Sequence, residues 1–233
     1  MRHQPDAGIL SSEAHELEGS EADAVALLRI LRKIRMSIQL KRLLAEIINS
    51  PERTRELVEH SYSHNNGFDK FVIDSVAEFG LKLRLHVWWT EALPSPVHDH
   101  PWDFASCLLL GQMIVTRFTE VNDGHGTYLR ARYPTLANQS DRRVTVEGTC
   151  NLKALSETVM DTGSFYSLCH GELHSVAVRR RVTATMVLQG EHTARSTRVY
   201  VKAGDERAEP FDVRYFTIDE AMRKLERLRE LLP

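Results

Sequence analysis

Leu81-Lys82-Leu83-Arg84-Leu85-His86-Val87-Trp88-Trp89 alternates with a period of two. Successive side chains of an extended strand point to opposite faces. Leu83, Leu85, Val87 and Trp89 therefore share one face, and Arg84, His86 and Trp88 share the other. The apolar face needs a core. Two readings of the second face stay open: it meets solvent, or it lines a pocket. In the pocket reading Arg84 would grip a carboxylate in bidentate fashion, His86 would exchange a proton and Trp88 would form a wall.

Further β-rich runs follow at 107–118, 128–133, 143–146, 164–168, 175–178, 182–189 and 197–202. Asn65-Asn66-Gly67 and the loop signal at 122–126 punctuate them. Many short strands joined by polar turns predict a sandwich or barrel. Upstream the period is helical. Leu27, Leu31, Ile34 and Ile38, then Leu40, Leu44, Ile47 and Ile48, predict one helix over 21–49, ended by Asn49-Ser50-Pro51. A short helix over 51–60 follows, with Ser50 as N-cap and Pro51 in its first turn. Arg29, Arg32, Lys33, Arg35, Lys41 and Arg42 make the first helix basic. They read as a solvated outer face over inward leucines, the alternative being a helix for a membrane surface or a partner. A last helix spans 217–232, with a capping box at Thr217 and Glu220 and an apolar stripe of Met222, Leu225, Leu228 and Leu232. The expected organisation is a mobile tail at 1–20, a helical extension at 21–66, a β-barrel at 67–204, and a linker with a helix at 205–233.

The 233 residues are 42% hydrophobic and 27% charged, as in a globular domain, and the formal net charge of −2 supplies no basic field for nucleic acid. No apolar run approaches the roughly 18 residues of a membrane span. Cys107, Cys150 and Cys169 are scattered and odd in number, which argues against a disulfide framework and for a reducing compartment. The opening Met-Arg-His-Gln-Pro-Asp lacks the apolar core of a secretory signal, so a cytoplasmic location is expected.

His98-Asp99-His100 carries the chemistry. Residues i and i+2 of a strand share a face, so both imidazoles can converge on one ion while Asp99 points away. His174, from the distant Gly171-Glu-Leu-His174, is the candidate third ligand. Asp99 is expected to support the ligands rather than bind, and Asp103 to cap the turn after Pro101. His170 reads as a surface histidine, Cys107 and Cys169 as buried apolar fillers, and Arg179, Arg180 and Arg181 as the solvated charges of a hairpin turn.

These motifs resemble the two signatures of the cupin superfamily. In the first, His98 and His100 are followed by Gly111 at the family spacing, with Phe104 at the acidic position and Ala92 at the leading glycine. In the second, Gly163, Gly171 and His174 keep the spacing, with Cys169 replacing proline. The resemblance covers roughly residues 65–202. It implies a mainly β fold: a cupin-type double-stranded β-barrel, or jelly roll, with an α-helical N-terminal extension and a C-terminal helix. Within the cupins the pattern resembles the three-histidine thiol dioxygenases typified by cysteine dioxygenase. That family has His-Asp-His, a tyrosine eight residues before the third histidine, as Tyr166 stands here, and a Tyr-x-Arg-Asn echoed by Tyr62-Ser63-His64-Asn65. The family's substrate-gripping arginine is thus replaced by His64. Trp88 matches the tryptophan of the strand leading to the metal.

The resemblance implies an Fe(II)-dependent oxygenase in which His98, His100 and His174 hold the ion, although another divalent metal would fit the same ligands. Tyr166 would be catalytic, and Tyr62, His64, Arg84, His86 and Trp88 would bind a small amino acid- or thiol-like substrate bearing a carboxylate. One departure matters. The family places serine, histidine and tyrosine on the strand after the third ligand, where this chain has Thr185-Met-Val-Leu-Gln189. Either His192 and Tyr200 substitute from nearby, or the substrate is not cysteine. The second option is preferred. The competing functions are a metal-dependent isomerase or lyase and a non-catalytic ligand-binding cupin. The expected partners are a small molecule and O2, with no nucleic acid and no membrane; a homodimer is possible.

Overall fold

The computed structural model of the chain describes residues 9–14, 23–121, 126–134, 144–194, 196–202 and 214–233. Most of the expected tail, residues 122–125 of the loop signal, and most of the expected linker lie outside them. Within the tail, Ile9–Ala14 form a short helix, α1. Leu10 is fully buried, and its backbone N–H donates to Asp74 Oδ2 at 2.9 Å.

The helix expected over 21–49 is two helices, α2 (Ala24–Ser37) and α3 (Leu40–Asn49), with Ile38 extended between them. The reason lies in the apolar stripes. At about 100° per residue, the stripe of Leu27, Ile30, Leu31 and Ile34 and that of Leu40, Leu43, Leu44 and Ile47 would be centred roughly 140° apart on one straight helix. The break lets both be buried. α4 (Pro51–His60) begins where expected, and Ser50 Oγ accepts from Arg53 N. The C-terminal helix α5 (Ile218–Leu231) is capped by Thr217, whose hydroxyl accepts from Glu220 N. The basic side chains of α2 and α3 lie mainly exposed, as a solvated face would, with Arg35 half-buried.

Mainly β structure follows, in two sheets. The first runs β13 (Arg214–Tyr215), β1 (Tyr62–His64), β2 (Phe68–Val76), β3 (Leu81–Trp88), β11 (Thr183–His192), β5 (Trp102–Leu110) and β9 (Phe165–Leu168). The second closes on itself in the order β10 (Leu173–Val178), β4 (Val97–His98), β12 (Ser196–Lys202), β7 (Tyr128–Pro134), β8 (Thr145–Asp161) and β6 (Gln112–Val121). The β-rich run at 107–118 is two strands that turn at Gly111. That residue has φ +90, and a Cβ there would come 2.3 Å from Thr183 Oγ1, so only glycine fits. The run at 143–146 is the start of β8, which extends to Asp161.

The main apolar core lies between the first sheet and the helices, not inside the double barrel. α2 packs on the sheet face formed by Leu83, Leu85, Cys107, Leu109, Met186 and Leu188, and α5 packs on α3 and α4. Fully burying a side chain such as Leu83 or Leu85 contributes about 1.5–3 kcal/mol. Its other face is thereby left free to line a cavity. Among the described residues no helix is long and apolar enough to cross a membrane.

Candidate metal centre

β4 is short, but it pairs on both sides. His98 lies opposite His174 of β10 and opposite Val199 of β12. The register alone therefore brings together two histidines seventy-six positions apart in the chain. His100 joins them just past the strand end. The ring centroids are 5.0 Å apart for His98 and His100, 4.5 Å for His98 and His174, and 5.1 Å for His100 and His174. One nitrogen of each ring lies within 4.8 Å of the others. A common centre is then within roughly 2.8 Å of all three, against about 2.0–2.1 Å for a formed metal–imidazole bond.

The rings are held by their surroundings. His98 Nδ1 lies 2.8 Å from Pro96 O and His174 Nδ1 3.3 Å from Glu172 O. With Nδ1–H donating to a carbonyl, Nε2 is the free lone pair. His100 stacks on Trp102 at 5.2 Å and meets the edge of Phe104 at 5.2 Å. Phe104, at the position of the missing acid, thus fills the wall with an apolar ring. Burial holds all three imidazoles below their ordinary pKa, so they are neutral and ready to bind. Three neutral donors suit a divalent cation and leave its charge in place.

Asp99 does not enter the centre. It is buried, and its carboxylate accepts from Arg198 N and Arg198 Nε, each at 2.6 Å. Arg198 Nη2 in turn donates to Gly171 O at 2.8 Å. This chain of bonds ties the His98–His100 segment to β12 and to the turn before His174. Asp103 accepts from His170 N and from Ala24 N, so it links the turn to the start of α2. His170 is bound there, away from the metal, as a surface histidine would be. Cys107 is buried, but Cys169 is exposed, contrary to the expectation of a buried filler.

The centre opens into a cavity of about 270 Å³ between the two sheets. The open question about β3 resolves toward the pocket: Arg84, His86 and Trp88 line it. So do Tyr62, His64 and Tyr166. Arg84 is 6% exposed, its Nε has no hydrogen-bond partner, and its guanidinium sits 5.3 Å over the Trp102 ring. Burial lowers its pKa to about 10. His64 is pushed down to about 3 by burial and the nearby Lys70, while its Nδ1 accepts from Asn66 N. His86, with an unpartnered buried Nε2, is also held neutral by burial. The Tyr166 phenol is pushed up to about 12 by burial and stays protonated.

Lys70 and Trp102 are among the cavity residues that escaped sequence reading. Lys70 donates to Tyr62 Oη at 2.9 Å, and burial drives its pKa well below the usual amine range. Trp102 touches both His100 and Arg84. The alternation of Phe68, Lys70 and Val72 along β2 was the available signal for Lys70. Neither proposed substitute for the family's histidine and tyrosine reaches the cavity. His192 packs on Trp102, and Tyr200 is buried elsewhere, donating to Glu120. The β11 wall is Thr185 and Val187.

No protein-family model matches the sequence, and no curated protein does. Solved structures with a similar course include a cupin superfamily protein from Desulfitobacterium hafniense, at 7% identity over 58% of this chain and 87% of that one, with a TM-score of 0.33. An RmlC-like cupin from Shewanella frigidimarina is similar at 10% identity over 56% and 82%, with a TM-score of 0.35. A recombinant oxalate oxidase in complex with glycolate is similar at 16% identity over 64% and 63%, with a TM-score of 0.35. Likeness of this depth bears on no residue's role.

Proposed function

We propose that the chain is a non-haem iron(II)-dependent oxygenase acting on a small carboxylate-bearing substrate. The observation that carries this reading is the meeting of three neutral imidazoles at one end of a closed-in cavity that also holds the buried, unpaired Arg84. Bound iron(II) would supply open coordination positions for substrate and O2 side by side.

The protein's own part is orientation. Arg84 takes the substrate carboxylate, and the Trp102 ring fixes the angle of its guanidinium. Trp88, Phe104 and Phe68 exclude water from the reacting end. Tyr166 lines the cavity and, protonated throughout the working pH range, would serve as a hydrogen-bond donor to a bound ligand. His64 and His86 remain neutral and line the pocket as hydrogen-bonding groups rather than as bases, because burial disfavours their protonated forms. The Thr185 and Val187 wall offers no acid–base group where the thiol dioxygenases carry theirs, which favours a substrate other than cysteine.

That same wall also suits a metal-dependent isomerase or lyase, in which O2 plays no part. Anaerobic loading with iron(II), followed by O2-electrode measurements across a panel of small carboxylic acids, separates the two. Substrate-dependent O2 uptake is expected. Turnover that proceeds equally under nitrogen would select the isomerase, and full iron occupancy without turnover would leave a binding protein. His174→Ala should reduce bound iron to a trace and activity by more than about 100-fold while the circular dichroism spectrum is unchanged.

A further inference from the structure

We infer that the cavity is built for a dianion, with Lys70 reading a second negative charge beside the one taken by Arg84. The inference rests on the proposed carboxylate site and extends it to a residue nothing has yet assigned. Lys70 pairs with His86 across β2 and β3, and Val72 with Arg84, so the two cations stand on neighbouring strands on one sheet face. Cross-strand diagonal positions of this kind are about 7–8 Å apart. Burial and then the nearby Arg84 disfavour the charge on Lys70.

A buried Arg84 beside a half-buried Lys70 is expensive unless something answers the two charges. Among the described residues lining the cavity there is no aspartate or glutamate. The neighbouring Asp69 is no counter-charge for Lys70, because it accepts from Ser63, Trp89 and Lys224 on the other face. Lys70 has a phenol at Tyr62 and that ring's face, 4.6 Å away, and Arg84 has an indole face. Neither is an anion. An amino-acid zwitterion fits poorly here, since the same lining offers its ammonium no carboxylate. A small dicarboxylate or a phosphate group fits both cations at once.

The test is calorimetric titration of the metal-free full-length protein with succinate and malonate as dicarboxylates, inorganic phosphate as a single dianionic group, butyrate as a monoanion and alanine as a zwitterion. At least one dianion should bind about tenfold or more tightly than butyrate or alanine; which class binds identifies the source of the two charges. Lys70→Met should abolish that preference and at the same time raise the melting temperature, because it removes a half-buried cation that has no counter-charge in the cavity. Lys70→Arg should keep the preference. A purely structural lysine would give the opposite stability change.

Equal binding of butyrate or alanine, no binding of any dianion, or a Lys70→Met effect equal for monoanion and dianion would overturn the inference. Iron(II) uptake measured on the same preparation keeps the two readings apart. Dianion binding without metal uptake sinks the metal centre alone, and metal uptake without dianion binding sinks this inference alone.

Discussion

The two faces of β3 share one backbone and opposite fates. Leu83, Leu85 and Val87 are fully buried and belong to one apolar core cluster. Arg84 and Trp88 are nearly as removed from water and His86 is half-buried, yet Arg84 Nε and His86 Nε2 have no partner. The first face stabilises the fold. The second costs stability, because a buried polar atom without a hydrogen bond forfeits roughly 1–3 kcal/mol. A single strand thus carries both the support and the liability, and the helical layer on one side is what allows a chemically demanding surface on the other.

The comparison breaks most sharply on the dry side. Leu85→Ala should cost about 2–5 kcal/mol in urea unfolding, with metal content per folded molecule unchanged. A loss of metal in parallel would mean that the two faces are not separable. Asp99→Asn should cost less, about 1–3 kcal/mol, since the Arg198 side chain is 32% exposed and solvent offsets part of the lost pair. It should nevertheless weaken metal binding about 10–100-fold, because the Asp99–Arg198–Gly171 bonds align two ligand segments. Metal competition titration of the refolded variant measures this.

The last effect is graded and comes from pH. His64 falls from 6.5 in the unfolded chain to about 3 when folded, and His86 is displaced in the same direction. Below pH 6.5 the unfolded state therefore binds protons that the folded state refuses. Stability present above pH 6.5 is lost as pH falls toward 3, at about 1.4 kcal/mol per pH unit for each such histidine. Urea midpoints between pH 7.5 and 5 should show this decline, and His64→Asn should make it shallower by one proton's worth. An unchanged slope would mean that His64 is already protonated in the folded protein.

Some of this was legible in the chain. The alternation of β3 and the His98–His100 pair could be read because each reflects a local rule, period two on a strand or two ligands on one face, whereas His174 entered through the resemblance of its motif. The break at Ile38 was less visible, since both stripes it separates are helical and their angular mismatch matters only when each has a place to pack. The length of β8 escaped because Lys153 to Val159 are exposed on both faces, and one-sided burial is what creates an alternating pattern. Lys70 escaped because a lysine in a strand ordinarily meets solvent. Its environment depends on β1, β3 and the sheet opposite.

By itself, the sequence determined the β-rich class, the helices at either end and the His98–His100 pair, all set by neighbours within a few positions. The tertiary structure alone decided that His98 and His174 face each other across β4 and β10, that Arg84 and Lys70 share an enclosed space without a carboxylate, and that the core lies behind the first sheet. Burial and long-range pairing are properties of distant segments brought together, and no local pattern contains them.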